Sequence, residues 1–297
     1  MSLRRCCILL LFAVLVGYRG LIQTNVRSTV HAADEPSEAE KKLVQERKER
    51  YTNWMRTYAE ATKVSILAGR TPDQDKDVVA ELVANPIFRY SDEEHLIPDA
   101  TLWAWTRNGR PAAFQKVEGN NHGGGQMWTI CFTSLSDQLV NVKWPMQRQF
   151  SSKVPGIAFR PIPGADAPSD NARLRTAQLK SLKDRFSARF GVKPDGTGGA
   201  ESRTMPKALF EYGDPNTKLP WGAVYGMTST GTNPSILFLI EAREDGAGKL
   251  RWEYATARMT SFSVHARLDD EDVWVEQDVP SDKFDSWTYY FLSRDFP

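Results

Sequence analysis

The stretch that decides the fold occurs twice, as FRYSDEEHLIPDATLWAWTRNGRP at residues 88–111 and as FEYGDPNTKLPWGAVYGMTSTGTNP at residues 210–234. Without a gap, the alignment pairs Phe88 with Phe210, Tyr90 with Tyr212, Asp92 with Asp214, Pro98 with Pro220, and Gly109 with Gly231. One extra residue, Asn233, then aligns Pro111 with Pro234 and Glu118 with Glu241, and one more in the next loop aligns Trp128 with Trp252. Both insertions fall in expected turns, where an added residue does not move a strand's side chains to the wrong face. The sequence therefore predicts two copies of one unit, at about 86–144 and 207–274.

Alternating apolar and polar residues predict antiparallel strands in each copy. The dipeptide Asn108-Gly109 separates two alternating runs, which is a strong signal for a tight hairpin. Strands are predicted in the first copy at 87–90, 101–106, 111–118, 127–134 and 139–144, and in the second at 209–212, 223–228, 235–241, 250–259 and 261–268. Residues 273–277 and 288–292 are expected to extend the sheet of the second copy.

Two helices are predicted outside the strands. The first covers residues 37–62, where Ser37 and Glu40 form a capping box and an apolar stripe follows at helical spacing: Val44, Tyr51, Trp54, Met55 and Tyr58. The second covers residues 170–190, ends at Gly191 and has a stripe of Leu179, Leu182, Phe186 and Phe190. A short strand is expected at 63–67, and loops are expected at 69–77 and 195–202.

The predicted fold class is α+β, with two similar antiparallel β-meander repeats packed together, an N-terminal amphipathic helix and a central helix between the repeats. The expected organisation is a signal peptide at 1–32 and a single globular domain at 33–297. Within that domain, residues 33–69 hold the first helix and a short strand, 78–150 the first repeat, 151–200 the connector and helix, and 201–297 the second repeat.

The N-terminal residues indicate export. Arg4 and Arg5 precede an uncharged apolar run at residues 6–18, which is too short to span a bilayer but suits a signal peptide. A small-residue cleavage pattern at Val30-His31-Ala32 follows. The expected location is therefore secreted or periplasmic, and an uncleaved, membrane-tethered form is the alternative.

The amino-acid composition limits the kinds of partner that the chain is expected to bind. Removing residues 1–32 takes away four arginines and no acidic residue, so the formal net charge falls from +1 to −3. This near-neutral balance argues against nucleic acid as a partner. Cys131 is then the one cysteine left, which excludes an intramolecular disulfide.

The matched acids Asp92 and Asp214 are the weak catalytic candidates. One carboxylate from each copy could form a hydrolytic pair at a pseudo-twofold axis. The surrounding residues, Tyr90-Ser91-Asp92-Glu93 and Tyr212-Gly213-Asp214-Pro215, do not match aspartic-protease motifs. An Asp just after a strand more often caps a turn, so a structural role is favoured.

Other reactive residues carry weaker signals. His122 lies in the loop Asn120-Asn121-His122-Gly123-Gly124-Gly125 and is a weak ligand-binding candidate, because glycine-rich polar loops can approach ligands closely. Cys131 aligns with Ala255, which indicates a small packed position rather than a nucleophile. The histidines do not have zinc-site spacing, and no metal and no cofactor are expected. Trp103 and Trp105 could stack on sugar rings if exposed, but large apolar residues at matched positions favour a core role.

Taken together, the signal peptide, the amphipathic first helix, residues 90–113 and WEYATARM at 252–259 resemble a family of uncharacterised secreted proteins of planctomycete bacteria. The resemblance implies export and lineage but no activity. The leading hypothesis is a non-catalytic cell-envelope binding or scaffold module for a partner protein or glycan, since no set of nucleophile, base and oxyanion donors is apparent. The alternative is a cell-envelope hydrolase that uses the carboxylate pair from the two repeats.

Overall fold

The computed structural model describes residues 37–68, 76–120, 127–213, 220–229, 231–278 and 285–292. Residues 43–297 form one compact unit. The described part of the other unit, residues 37–42, contains the start of the first helix. There the Ser37 backbone N–H donates to Glu40 Oε2 at 2.8 Å, so the predicted capping box is confirmed. The proposed signal peptide lies outside the described residues.

The described residues contain two helices and twenty strands. The helices are α1 (Glu38–Ala61) and α2 (Ala172–Lys183). The strands before α2 are β1 (Lys63–Ala68), β2 (Lys76–Val79), β3 (Glu81–Leu82), β4 (Phe88–Asp92), β5 (Ile97–Arg107), β6 (Arg110–Asn120), β7 (Met127–Ser134), β8 (Val140–Lys143), β9 (Gln149–Ser151) and β10 (Arg160–Pro161). The strands after α2 are β11 (Phe186–Val192), β12 (Gly198–Glu201), β13 (Arg203–Thr204), β14 (Phe210–Tyr212), β15 (Gly222–Thr228), β16 (Ile236–Glu244), β17 (Leu250–Arg258), β18 (Val264–Leu268), β19 (Glu271–Glu276) and β20 (Trp287–Leu292). The described part of the chain is therefore mostly β, with antiparallel sheets.

The strands form four antiparallel sheets, named here in the order in which they pack. Sheet I has the order β2-β1-β8-β9, and sheet II has β20-β7-β6-β5-β3, with β4 also paired to β5. Sheet III has the order β10-β17-β16-β15-β13, with β14 also paired to β15, and sheet IV has β12-β11-β18-β19. Sheets I and IV thus share one strand order, and sheets II and III share another.

Three apolar clusters join the sheets like successive blades. Between sheets I and II, Val64 and Val142 pack with Trp105 and Phe132, and Met55 of α1 joins this cluster. Between sheets II and III, the cluster includes Leu102, Phe114, Leu237 and Ala257. Between sheets III and IV, it includes Phe238, Trp252, Phe186 and Val264. Both faces of sheets II and III are therefore buried, which explains why their strands are nearly continuous in apolar residues.

The β5–β6 hairpin forms as the sequence predicts. Asn108 and Gly109 both have positive φ, at 50° and 80°, and they connect Arg107 directly to Arg110. A two-residue turn of this kind suits the right-handed twist of paired strands, and Asn-Gly tolerates its backbone angles. Arg110, the first residue after this turn, reaches towards Glu241 of sheet III.

The last strand pairs differently from the prediction. The expected extension of the second copy at 288–292 is part of β20, which pairs with β7 of sheet II, placing Tyr289 opposite Cys131. In a corresponding way β10, which follows β9, pairs with β17 of sheet III. Sheet II is therefore completed by β20, which follows the strands of sheets III and IV in the chain, and sheet III is completed by β10, which follows the strands of sheets I and II up to β9.

The second predicted helix was too long. It ends at Lys183. Phe186 and Phe190 lie instead on β11, where they share the buried face with Ala188 and pack against sheet III. Apolar residues four positions apart fit both a helix and a strand, so the spacing alone did not distinguish them. The loop predicted at 195–202 contains β12, and the loop predicted at 69–77 contains the start of β2.

The first helix matches the prediction with one exception. Tyr51, Met55 and Tyr58 are buried and Trp54 packs against the same cluster, but Val44 is 62% exposed. Among the described residues, no helix combines the length and apolar character needed to cross a membrane.

Candidate functional site

A cavity of about 270 Å³ lies at one end of sheet II. Its walls come from β6, β7 and β20, from the turn between β15 and β16, and from the residues that follow β17. It therefore draws on strands that are distant in sequence, brought together by the packing of sheets II and III.

The floor of this cavity is polar although it is buried. Lys116, Glu118 and Asn120 alternate along β6, so their side chains point to one face. Thr129 and Cys131 occupy the neighbouring positions on β7, opposite Glu118 and Lys116. All five residues are at least nine-tenths buried. Buried polar groups are normally hydrogen-bonded, so their partners indicate which of them are available to a ligand.

The two charged residues of the floor differ in their partners. The Lys116 amine donates to Asn233 Oδ1 at 2.6 Å and to the backbone oxygen of Met259 at 3.1 Å. The Glu118 carboxylate accepts from the Tyr90 hydroxyl at 2.6 Å through Oε1. Among the described residues, Oε2 of Glu118 has no hydrogen-bond partner and Glu118 makes no ion pair.

The hydroxyl of Tyr90 acts as a fixed donor. Burial, followed by the nearby Glu118 charge, raises the pKa of Tyr90 well above its ordinary value. The phenol is therefore protonated at neutral pH and orients one carboxylate oxygen of Glu118. Asn120 donates in turn to Thr129 Oγ1, which fixes the outer end of the floor.

An aromatic row on β20 forms one wall. Trp287, Tyr289 and Phe291 follow one another on the same face, with 5.8 Å and 5.9 Å between successive ring centroids. Trp287 is buried, while Phe291 is 46% exposed and Phe262 beside the cavity is 55% exposed. The row therefore leads from the protein interior to an apolar rim at the surface.

Asp92 and His95 form a pair at the edge of the cavity. Asp92 is 2% exposed, and its Oδ2 lies 2.8 Å from Nδ1 of His95, whose ring lines the cavity. The β15–β16 turn comes close to this pair, since a Cβ at Gly231 would lie 3.4 Å from Asp92 Oδ1. Asp92 thus holds the turn after β4 through His95, in agreement with a structural role.

Of the other sequence candidates that the structure describes, Cys131 lies in the cavity floor, and Trp103 and Trp105 lie outside the cavity lining. Asp214 and His122 lie outside the described residues. Burial raises the pKa of Cys131 to about 12, and Cys131 packs in the same cluster as Ala255, so its thiol is a packed apolar group. Trp103 and Trp105 are each 1% exposed and belong to the core between sheets I and II.

Sheet III contains a row of residues that matches the floor. Tyr212 and Glu241 flank Gly222 on neighbouring strands, as Tyr90 and Glu118 flank Ala100 in sheet II. The Tyr212 hydroxyl donates to Glu241 at 2.7 Å, which repeats the Tyr90–Glu118 contact.

The surroundings of the two glutamates differ. Glu241 is fully buried and also accepts from Arg110 Nε at 2.8 Å and from Arg243 Nη1 at 2.7 Å. The Glu241 carboxylate is therefore compensated by two guanidinium groups, whereas none contacts Glu118 among the described residues. A larger cavity of about 740 Å³ lies beside Arg110 and is lined mainly by the β5–β6 turn and by residues 136–138.

Sequence reasoning missed Lys116 and the aromatic row. A lysine in an otherwise apolar run of β6, opposite Leu239 in the alignment, was a usable signal. The aromatic row depended on knowing that β20 pairs with β7, which the local pattern does not show.

Comparisons of the chain with protein-family models, with curated proteins and with solved structures gave no match. Within the described part of the chain, no group of three or more His, Cys, Asp or Glu side chains could hold a metal ion.

Proposed function

We propose that the chain consists of two copies of one half-domain and works as a non-catalytic binding module of the cell envelope. The duplication is supported by the shared strand orders, by the matched Tyr–Glu contacts and by a helix before the first strand of each half. The location rests on the N-terminal pattern of Arg4, Arg5 and the apolar run at 6–18.

The observation that carries the binding proposal is the Glu118 carboxylate, whose Oε2 has no partner among the described residues, in a cavity with an aromatic wall. Ligand sites are typically concave and apolar, with a few convergent polar groups that fix orientation. Lys116, Glu118 and Asn120 supply those groups, and the β20 row supplies the apolar surface. The corresponding place in sheet III is occupied by the chain's own arginines, so the two halves have diverged at this point.

The partner is a protein or glycan of the envelope, not a free metabolite of drug size. A volume of about 270 Å³ is slightly below the roughly 300–1,000 Å³ of cavities that bury whole drug-sized ligands. One side chain or one ring of a larger partner fits this space, and Phe262 and Phe291 offer apolar contact around it.

A cell-envelope hydrolase is the second candidate. Its specific support is the Asp92–His95 pair at the edge of the cavity, because an oriented histidine can act as a general base. The hydrolase hypothesis pairs Asp92 with Asp214, and it predicts that the Asp92→Asn and Asp214→Asn variants both lose hydrolysis of envelope polymers while retaining their fold.

The binding proposal is tested by a pull-down from envelope extract and a glycan array, both made with the wild type and with Phe291→Ala. The matched control is Val275→Ala, which also shortens an apolar strand residue with 44% exposure but lies outside the cavity lining. We expect a captured partner with the wild type and the control, and a loss of capture with Phe291→Ala. Empty results in both assays, or equal capture by both variants, would contradict the proposal.

A further inference from the structure

We propose that the group bound in the sheet II cavity is a guanidinium, presented by an arginine side chain of a partner protein. This inference rests on the proposed binding function and adds the chemistry of the ligand. It follows from comparing Glu118 with Glu241, which occupy corresponding strand positions but have different partners.

The arrangement around Glu241 shows what the site looks like when it is filled. Arg110 comes from the β5–β6 hairpin and donates Nε to Glu241 at 2.8 Å. The guanidinium groups of Arg110 and Arg243 lie 5.2 Å and 4.3 Å from the ring centroid of Phe159. A carboxylate on one side and an aromatic face on the other is a favourable environment for guanidinium, through charge-assisted hydrogen bonds and cation–π contact.

The same two components surround the sheet II cavity. Glu118 occupies the place of Glu241, with the tyrosine contact retained. Tyr289 lies opposite Cys131, which aligns with Ala255, and Phe159 directly precedes the residue of β10 that pairs with Tyr254. Tyr289 therefore corresponds to Phe159, and it lines the cavity.

Among the described residues, no guanidinium contacts Glu118 as Arg110 and Arg243 contact Glu241. Asn233 precedes Pro234 in the β15–β16 turn as Arg110 precedes Pro111, and its shorter side chain contacts Lys116 instead of Glu118. Asn120 stands where the alignment places Arg243. Glu118 is 6% exposed, and its Oε2, which has no partner among the described residues, is the oxygen that an incoming guanidinium could contact through a charge-assisted hydrogen bond.

Two cations near the cavity could favour an anion instead. Arg258 lies over the Trp287 ring and already donates to the backbone oxygens of Thr260, Phe262 and Gln277. The second cation is Lys116. Its amine already donates to Asn233 and to the Met259 carbonyl, so it is held on the side of the β15–β16 turn. Both cations therefore already have protein partners, whereas Oε2 of Glu118 has none among the described residues. The group left for a ligand is this carboxylate oxygen, which favours a cationic ligand over a carboxylate or phosphate.

The test is a calorimetric titration of the purified protein with four small probes. Butylguanidinium is compared with butylurea, its neutral analogue of similar shape, and glucosamine and inorganic phosphate represent an amino-sugar source and an anionic ligand. We expect butylguanidinium to bind at least about tenfold more tightly than butylurea, since a hydrogen bond to a charged group changes affinity by about that factor. Glu118→Gln should lower the affinity for butylguanidinium about tenfold, and Val275→Ala should leave it unchanged.

The outcomes separate this inference from the binding function. Tighter binding of butylurea, glucosamine or phosphate would overturn the guanidinium assignment and leave the cavity as a binding site. No binding of any probe, together with an empty pull-down, would overturn both. If Glu118→Gln does not fold, Phe291→Ala provides the second variant, with an expected weakening of severalfold for butylguanidinium and no change for Val275→Ala; equal affinities in these two variants would also refute the assignment.

Discussion

Replacing Arg110 by Met should lower the free energy of unfolding by about 2–3 kcal/mol. Arg110 reaches from sheet II to the fully buried Glu241 of sheet III, and its Nε donates at 2.8 Å. Removing one partner of a buried pair costs about 3–5 kcal/mol, and a hydrogen bond to a charged group contributes about 1.5–3 kcal/mol. The lower part of these ranges applies because Arg110 is 21% exposed and Arg243 and Tyr212 still contact Glu241 in the variant.

Arg107→Met is the matched control, since it removes an arginine from the other side of the same turn. The Arg107 side chain makes no hydrogen bond or ion pair with the described residues, so its replacement should change stability by less than about 0.5 kcal/mol. Urea unfolding at neutral pH measures both variants, and the difference corresponds to a melting temperature about 4–6 °C lower for Arg110→Met. A double-mutant cycle with Glu241→Gln should give a coupling energy of at least about 1 kcal/mol. Equal stability of the two arginine variants would refute the reasoning.

Three further predictions concern single side chains. Burial, and then the charge of Glu211, raises the pKa of Tyr225 from 10.0 to about 12, so the phenol of the folded protein stays protonated at pH values where that of the unfolded chain ionises. The free energy of unfolding, measured in urea, should therefore fall between about pH 10 and 12, and it should fall less steeply in Tyr225→Phe. The same pH dependence in the two proteins would contradict this prediction. Gly222→Ala should lower the free energy of unfolding by about 1–3 kcal/mol in a chemical unfolding experiment, because a Cβ at this position would lie 2.4 Å from the Tyr212 ring and disturb its hydrogen bond to Glu241. An unchanged free energy of unfolding would be inconsistent with this packing. Cys131, whose pKa is about 12, should not react with iodoacetamide in the native protein at about pH 8 and should react after unfolding. Peptide mass spectrometry follows the labelling. Rapid labelling of the native protein would contradict the prediction by showing that the thiol is accessible.

Local features of the fold were readable from the sequence. The Ser37–Glu40 box marks the start of α1, and Asn108-Gly109 marks the hairpin, because both depend on neighbouring residues only. Paired aromatic and apolar positions likewise predicted the strands of the two larger sheets. By contrast, Phe186 and Phe190 were misread, since their spacing fits a helix and a strand equally well.

The candidate site depends on contacts that local patterns cannot reveal. Lys116 is held by Asn233 and Met259, which are 117 and 143 positions away along the chain. The aromatic wall requires β20 to leave the sheet of its own half and pair with β7. The difference between Glu118 and Glu241 also becomes apparent only when Arg110 is seen to cross from one sheet to the other.

The most direct test is a variant in which an arginine of the chain itself occupies the cavity beside Glu118. The double variant Lys116→Leu with Asn233→Arg copies into sheet II the residues that accompany Glu241, namely Leu239 and an arginine before the turn proline. Calorimetric titration with butylguanidinium should give binding heat with the wild type and none with the folded double variant, because the introduced guanidinium occupies the place beside Glu118. Equal binding by the two proteins, or no binding by the wild type, would contradict the claim that Glu118 awaits a cation from a partner.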